Sequence, residues 1–148
     1  MTHARLVEEL AAEIKRTCAQ VKLPLEASES FVAGEVLENY LPEDLFESTS
    51  YFPFVLVEYL ETVDDFKDGS AAHIGLTIGT YAANQDGWHD AFHLMEVIRQ
   101  RVLELRVIAK RFRLTGARWQ APDTQPTPFY YLVAELTFDI FQAAEQLS

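Results

Sequence analysis

Two histidines stand four residues apart in His89-Asp-Ala-Phe-His93, with an acid directly after the first. On a helix that spacing sets both imidazoles on one face, where they can share a zinc ion. Peptidases built on this pattern use a glutamate as the base. Here the position holds Asp90, one methylene shorter. A third ligand would have to come from elsewhere, and the remaining histidines are His3 and His73. Helical phase also weighs against a reaction cleft. His89, His93, Glu96 and Gln100 share one face, about half a turn from the apolar positions of the same segment. That face belongs to solvent or to a subunit contact, and a small metal-dependent hydrolase using His89 and His93 is the less favoured reading.

Other candidates for chemistry are weaker. Gly75-Leu-Thr-Ile-Gly79 lies inside a strand pattern, with no lysine after it and no helix attached, so it is not a phosphate loop. Glycines on one strand face instead mark the close approach of another backbone, from a helix or a neighbouring subunit. Asp64, Asp65 and Asp68 can ligate calcium in principle, but a charged surface loop explains them. No serine sits in a nucleophile elbow, and Cys18 has no histidine near it in sequence. Phe129-Tyr-Tyr131 and Trp119 read as packing residues. We therefore expect no catalytic, cofactor or metal residue. A subunit or partner interface is expected on His89, His93, Glu96 and Gln100, together with the Asp64–Asp68 loop.

The elements that would position these residues follow from periodicity. Leu6, Leu10, Ile14 and Cys18, flanked by Val7 and Ala11, predict a helix from Thr2, its cap, to about Gln20, with Glu8, Glu9, Glu13, Lys15 and Arg16 on the wet face. Lys22-Leu-Pro-Leu25 ends it. Residues 27–39 suit a strand or a helix, and a strand is favoured. A turn at Tyr40-Leu-Pro42 and a polar connection from Glu43 to Thr49 follow. Pro53 to Leu60 is apolar on both parities, as in a central strand. Asp64 to Ser70 reads as a loop too long for a tight hairpin, and His73 to Tyr81 as the next strand. Ile74, Leu76 and Ile78 face one way there, and Gly75, Thr77 and Gly79 the other. After a turn at 82–87, Ala91, Met95, Ile98, Val102 and Leu105 make the apolar stripe of a long helix from about Trp88. A strand from Phe112 toward Trp119, a proline-rich loop from Ala121 to Pro128, and a strand alternating from Tyr130 to Ile140 complete the chain, with a short polar tail from Gln142. The expected fold is α+β: a mostly antiparallel four- to five-stranded sheet, with the long central helix and the N-terminal helix packed on one side. We expect one domain over 1–148, its sheet-and-helix core spanning about 30–141.

Bulk properties agree with a packed domain. The chain has 148 residues, 49% hydrophobic and 24% charged, enough for a real core. The N-terminus shows no apolar signal core, no run is long enough for a bilayer span, and one cysteine makes no disulfide framework. Net charge is −11, yet seven of the twelve basic residues lie between Arg99 and Arg118, opposed there only by Glu104. So acidic a chain is unsuited to gripping a nucleic-acid backbone. The basic block is expected to pair with nearby carboxylates, with a partner-facing patch as the alternative.

With intrinsic chemistry this thin, a series of segments becomes informative. Tyr40-Leu-Pro42, Phe52-Pro-Phe-Val-Leu-Val57, Leu76-Thr-Ile-Gly-Thr-Tyr81, Asp86-Gly-Trp-His-Asp90, Leu94-Met-Glu-Val-Ile-Arg99, Arg111-Phe-Arg-Leu114, and Trp119 with Gln125-Pro-Thr-Pro-Phe-Tyr130 and the closing strand occur in that order. The series, covering about Tyr40 to Phe141, resembles the tail-terminator or tail-completion proteins of long-tailed bacteriophages and prophages. None of the segments is a chemical motif. The resemblance implies a structural virion protein at the tail–neck junction, assembled in the host cytoplasm as a homo-oligomer, a hexameric ring. Its implied partners are the major tail (tube) protein and the head–tail connector or stopper protein. DNA would pass through the lumen without specific binding, an acidic wall discouraging adhesion. A head-completion or stopper neck protein is the alternative of the same kind.

Overall fold

The computed structural model describes residues 2–19, 35–44, 52–67, 69–81, 87–126 and 128–140. The expectations placed on 20–34, 45–51, 82–86 and 141–148 lie outside them. The elements are α1 (Thr2–Cys18), β1 (Glu35–Glu38), β2 (Phe54–Asp65), β3 (Gly69–Tyr81), α2 (Gly87–Leu105), β4 (Val107–Ile108), β5 (Phe112–Gln120) and β6 (Phe129–Ile140). They build an α+β fold around one six-stranded sheet, ordered β1-β2-β3-β6-β5-β4. The sheet is mixed: β1 runs parallel to β2, and every other pair is antiparallel.

Alternation along the strands separates two apolar layers. Val55 and Val57 of β2, Ile74, Leu76 and Ile78 of β3, and Leu132, Leu136 and Phe138 of β6 face the helices. α1 contributes Leu6, Leu10, Ile14 and Cys18 at its four-residue repeat, and α2 contributes Ala91, Leu94, Met95, Ile98 and Val102. Burying such stripes removes apolar surface worth roughly 1.5–3 kcal/mol per large side chain. α2 lies on β3 and β6. α1 packs on α2 and touches β1 and β2 at one end of the strand order and β4 at the other. The sheet is therefore curled about α1.

The opposite sheet face carries a smaller apolar layer. Phe54 and Leu56 are buried there, with Leu37, Phe52 and Tyr131 against them. This is why β2 is apolar on both parities, although only the short β1 separates it from the sheet edge. Phe52 and Phe129 rings lie 4.8 Å apart, and Phe54 and Tyr131 rings 6.1 Å.

The structure corrects several expectations. The sheet has six strands, not four or five, because β4 is only two residues long and β1 four, too short for a periodic signal. Positive φ at Arg106, Ala109 and Lys110 folds the chain tightly from α2 through β4 into β5. Asp64 to Ser70 is not a long loop. β2 continues to Asp65, β3 starts at Gly69, and Asp64 pairs with Ser70 across the ladder. The turn closes because the Asp65 carboxylate accepts the Lys67 N–H at 2.7 Å and Gly69 adopts φ 87°, a side-chain turn followed by the residue best suited to that region. Charged residues had read as loop, yet a ladder exposed on both faces tolerates them. Glu13 is not on the wet face. It sits at the α1–α2 seam, where Arg101 Nε donates to it at 3.0 Å and Arg16 also pairs with it. The close approaches at Gly75 and Gly79 are made by side chains of β2 on the same sheet, not by a helix or another backbone.

Candidate association surface

β3 stays paired with β6 as far as Ser70, while its other neighbour, β2, is a flank of the sheet. The lower half of β2 is covered on both faces, while from Tyr59 onward it is mostly exposed. β1 pairs with β2 only from Phe54 to Val57. There Asn39, at φ 65°, turns the chain away, and its side-chain carbonyl accepts the Tyr59 N–H at 3.0 Å. Asn tolerates this left-handed backbone better than most residues. Beyond that point no described strand covers the outer edge of β2. A register shift between Tyr59 and Glu61 swings Leu60 onto Gly75. The exposed ladder carries apolar side chains in solvent: Tyr59 at 41%, Leu60 at 45%, Val63 at 47%, and Phe66 fully exposed at the turn. Scattered apolar residues are ordinary, but here Leu60 and Val63 on the sheet face away from the helices, Tyr59 on the helix side and Phe66 at the turn all border one open strand edge, which suits protein contact.

Asp64 and Asp65 stand at the end of the β2–β3 hairpin, and Asp68 lies outside the described residues. Both described carboxylates are used within the turn, Asp64 accepting from the Ser70 hydroxyl and Asp65 from Lys67. His89, His93, Glu96 and Gln100 are all exposed on one face of α2. The structure does not join the two groups. α2 begins beside Tyr130, whose ring lies 6.3 Å from that of Phe92, at the end of the sheet where Tyr81 meets Phe129. The hairpin turn is at the other end.

The histidine motif is split by its own helix. His89 and His93 face outward, while Asp90 is 3% exposed. Burial raises the Asp90 carboxyl above its ordinary range, and the two imidazoles partly offset this. Among the described residues no group of three or more His, Cys, Asp and Glu side chains is placed to hold a metal ion. The His89 ring instead stacks on Trp88 at 3.6 Å, with Phe92 edge-on to Trp88 at 5.9 Å. Trp88 and Phe92 are both partly exposed. Sequence reasoning missed this aromatic cluster; its signal was two aromatic residues four apart beside the histidines.

The basic block is only partly neutralised. Arg101 pairs with Glu13 and Glu104, and Arg113 with Asp139. Arg99, Lys110, Arg111 and Arg118 form no ion pair with a described residue. Four of the block's residues, Lys110, Arg111, Arg113 and Arg118, lie at or on β5, on the opposite side of the sheet from β2. Cys18 is buried in the helix seam, and burial pushes its thiol up to about 12. No helix among the described residues is long and apolar enough to cross a membrane.

No protein-family model matches the chain, and no curated protein matches its sequence. Among solved structures, a chain from the virion of a native gene transfer agent particle is similar to it, at 12% identity and a TM-score of 0.37, over 91% of this chain and 96% of that one.

Proposed function

We propose that this chain is a structural virion protein, a tail terminator that forms a ring at the head-proximal end of a phage-type tail tube. In this role it ends polymerisation of the tube and offers the joining surface for the head. It acts by assembly and not by catalysis, so its working parts are surfaces. The observation that carries the reading is the uncovered outer length of β2, with Tyr59, Leu60, Val63 and Phe66 held in solvent along it and at its turn. Ordered apolar side chains on an uncovered strand edge invite pairing with another chain. The ordered series of segments that resembles the tail-terminator proteins supports it independently.

Its partners would be further copies of itself, the major tail protein and the connector or stopper of the head, at the tail–neck junction. Imaging of particles produced with and without the chain tests the reading. Overlong tails in its absence are the expected result. Tails of normal length detached from heads would move the assignment to a stopper, and unchanged particles would overturn both.

A further inference from the structure

The outer edge of β2 opens where β1 leaves it. β1 pairs with β2 as far as Val57. Asn39 then donates its N–H to the Val57 carbonyl and accepts the Tyr59 N–H. From Leu60 to Asp65 no described strand lies beside that edge. The open length is about 20 Å at the usual strand rise. An edge strand presents a row of backbone N–H and C=O groups that another chain can pair with.

The side chains of this stretch carry one sign of charge. From Leu60 to Asp65 there are three acidic residues and no basic one. Glu61 forms no ion pair with a described residue. Glu61 stands opposite His73, Val63 opposite Ala71, and Leu60 lies over Gly75, so all three share the sheet face away from the helices. Tyr59 and Thr62 stand on the helix side, their hydroxyls 2.7 Å apart, and Asp64 follows on that side. The open edge thus combines backbone groups, exposed apolar side chains and carboxylates on both faces.

Among the described residues, the chain's own edges do not suit this seat. Ala117 to Gln120 of β5 stand level with Tyr59 to Leu56, the part of β2 that β1 and Asn39 already hold. Level with Thr62 to Asp64 stand Leu114 to Phe112, where β4 and Arg106 already pair. β4 itself is two residues long. A second copy laid on β2 edge to edge would bring its carboxylates against these. Like charges directly opposite destabilise a strand pair, and opposite charges stabilise it.

We propose that the open length of β2 seats an extended basic segment of a protein of another sequence, which adds as a strand where β1 turns away. Backbone bonds hold the segment, its lysines or arginines meet Glu61 and Asp64, and its apolar side chains cover Leu60 and Val63. This rests on the reading of the chain as an assembly protein and names the kind of partner that its exposed edge accepts.

A short fluorescein-labelled peptide alternating lysine and valine, added to the full chain, tests the seat by fluorescence anisotropy. Saturable binding is expected, and about ten-fold weaker binding to Glu61→Lys, as the loss of a close charge pair across an interface gives. Glu61 is exposed, so the circular-dichroism melt of this variant should match the parent's. The same peptide with every backbone amide N-methylated keeps its charge but cannot donate a ladder bond, and it should bind more weakly by about ten-fold or more. Equal binding of the N-methylated peptide, or equal binding of the unmodified peptide to Glu61→Lys, overturns the proposal, as does no binding at all. Self-association of the chain alone in sedimentation that Val63→Lys abolishes would give the edge to a second copy and overturn it too. None of these results decides the terminator reading, which is judged by tail length in particles.

Discussion

The ring of Phe54 lies directly over the bare Cα of Gly79 on the neighbouring strand. A Cβ at Gly79 would fall 2.3 Å from Phe54 Cε2. The two are cross-strand partners, and Gly79 is in turn the partner of Tyr131. The missing side chain lets the Phe54 ring reach across β3 toward Tyr131.

Gly79→Ala should therefore destabilise the fold by about 1–3 kcal/mol, the usual range for overpacking a filled site. Urea denaturation checks this. In a Phe54→Ala background the same change should cost much less, since the ring it displaces is gone. Equal costs in both backgrounds would mean that the contact does not limit the site.

Glu13 joins the helices. The Arg16 guanidinium hydrogen-bonded to it holds its carboxyl below the ordinary range, burial opposes that, and Arg101 of α2 adds to the lowering. A depressed carboxyl stabilises the fold above its unfolded value, near 4.5, and that contribution is lost as pH falls through the folded value. Glu13→Gln should flatten the stability profile below about pH 5 by less than about 1 kcal/mol, because Arg16 and Arg101 are both well exposed. Urea midpoints measured between pH 3 and 7 would reveal it. Identical profiles would remove Glu13 from the acid response.

Asp90 carries the opposite sign. Its carboxyl is raised from 3.8, first by burial. The stability linked to it is fully present below that value and is lost as pH rises through the folded value. Asp90→Asn should gain stability over the parent as pH climbs from 3 through the carboxyl range, with no further gain beyond it. A difference that stays constant with pH would contradict the burial of a charge at this position.

Cys18 should resist alkylation in the native protein. With its thiol near 12 almost none is thiolate at neutral pH, and the side chain is buried. Modification by iodoacetamide at pH 8 is expected to follow the urea unfolding curve. Rapid labelling without denaturant would show that the α1 seam opens readily.

The parts legible in sequence were those with sustained periodicity. α1, α2 and β6 repeat their apolar residues over three or more turns or pairs, and Leu6, Ile98 and Phe138 all lie where their spacing predicts. The exposed histidine face of α2 followed from the same phase. What stayed hidden lacked a period or was set by a distant partner. β4 is two residues long. The parallel pairing of β1 depends on where β2 lies, not on Glu35–Glu38 itself. The hairpin was masked because Glu61, Asp64 and Asp65 lie in a ladder that has no core beneath it to demand apolar residues. That the basic residues from Lys110 to Arg118 lie far across the sheet from Glu61, Asp64 and Asp65 could not be seen before the strand order was known.

α1 bears on β1 and β2 at one margin of the sheet and on β4 at the other. It is a spindle on which both margins hang, so they cannot loosen separately from it. Fraying of this one helix would release the first and last strands together, and the curvature of the whole wall would relax with them. The spacing between the β1–β2 margin and the β4 margin is thus governed by a segment that belongs to neither.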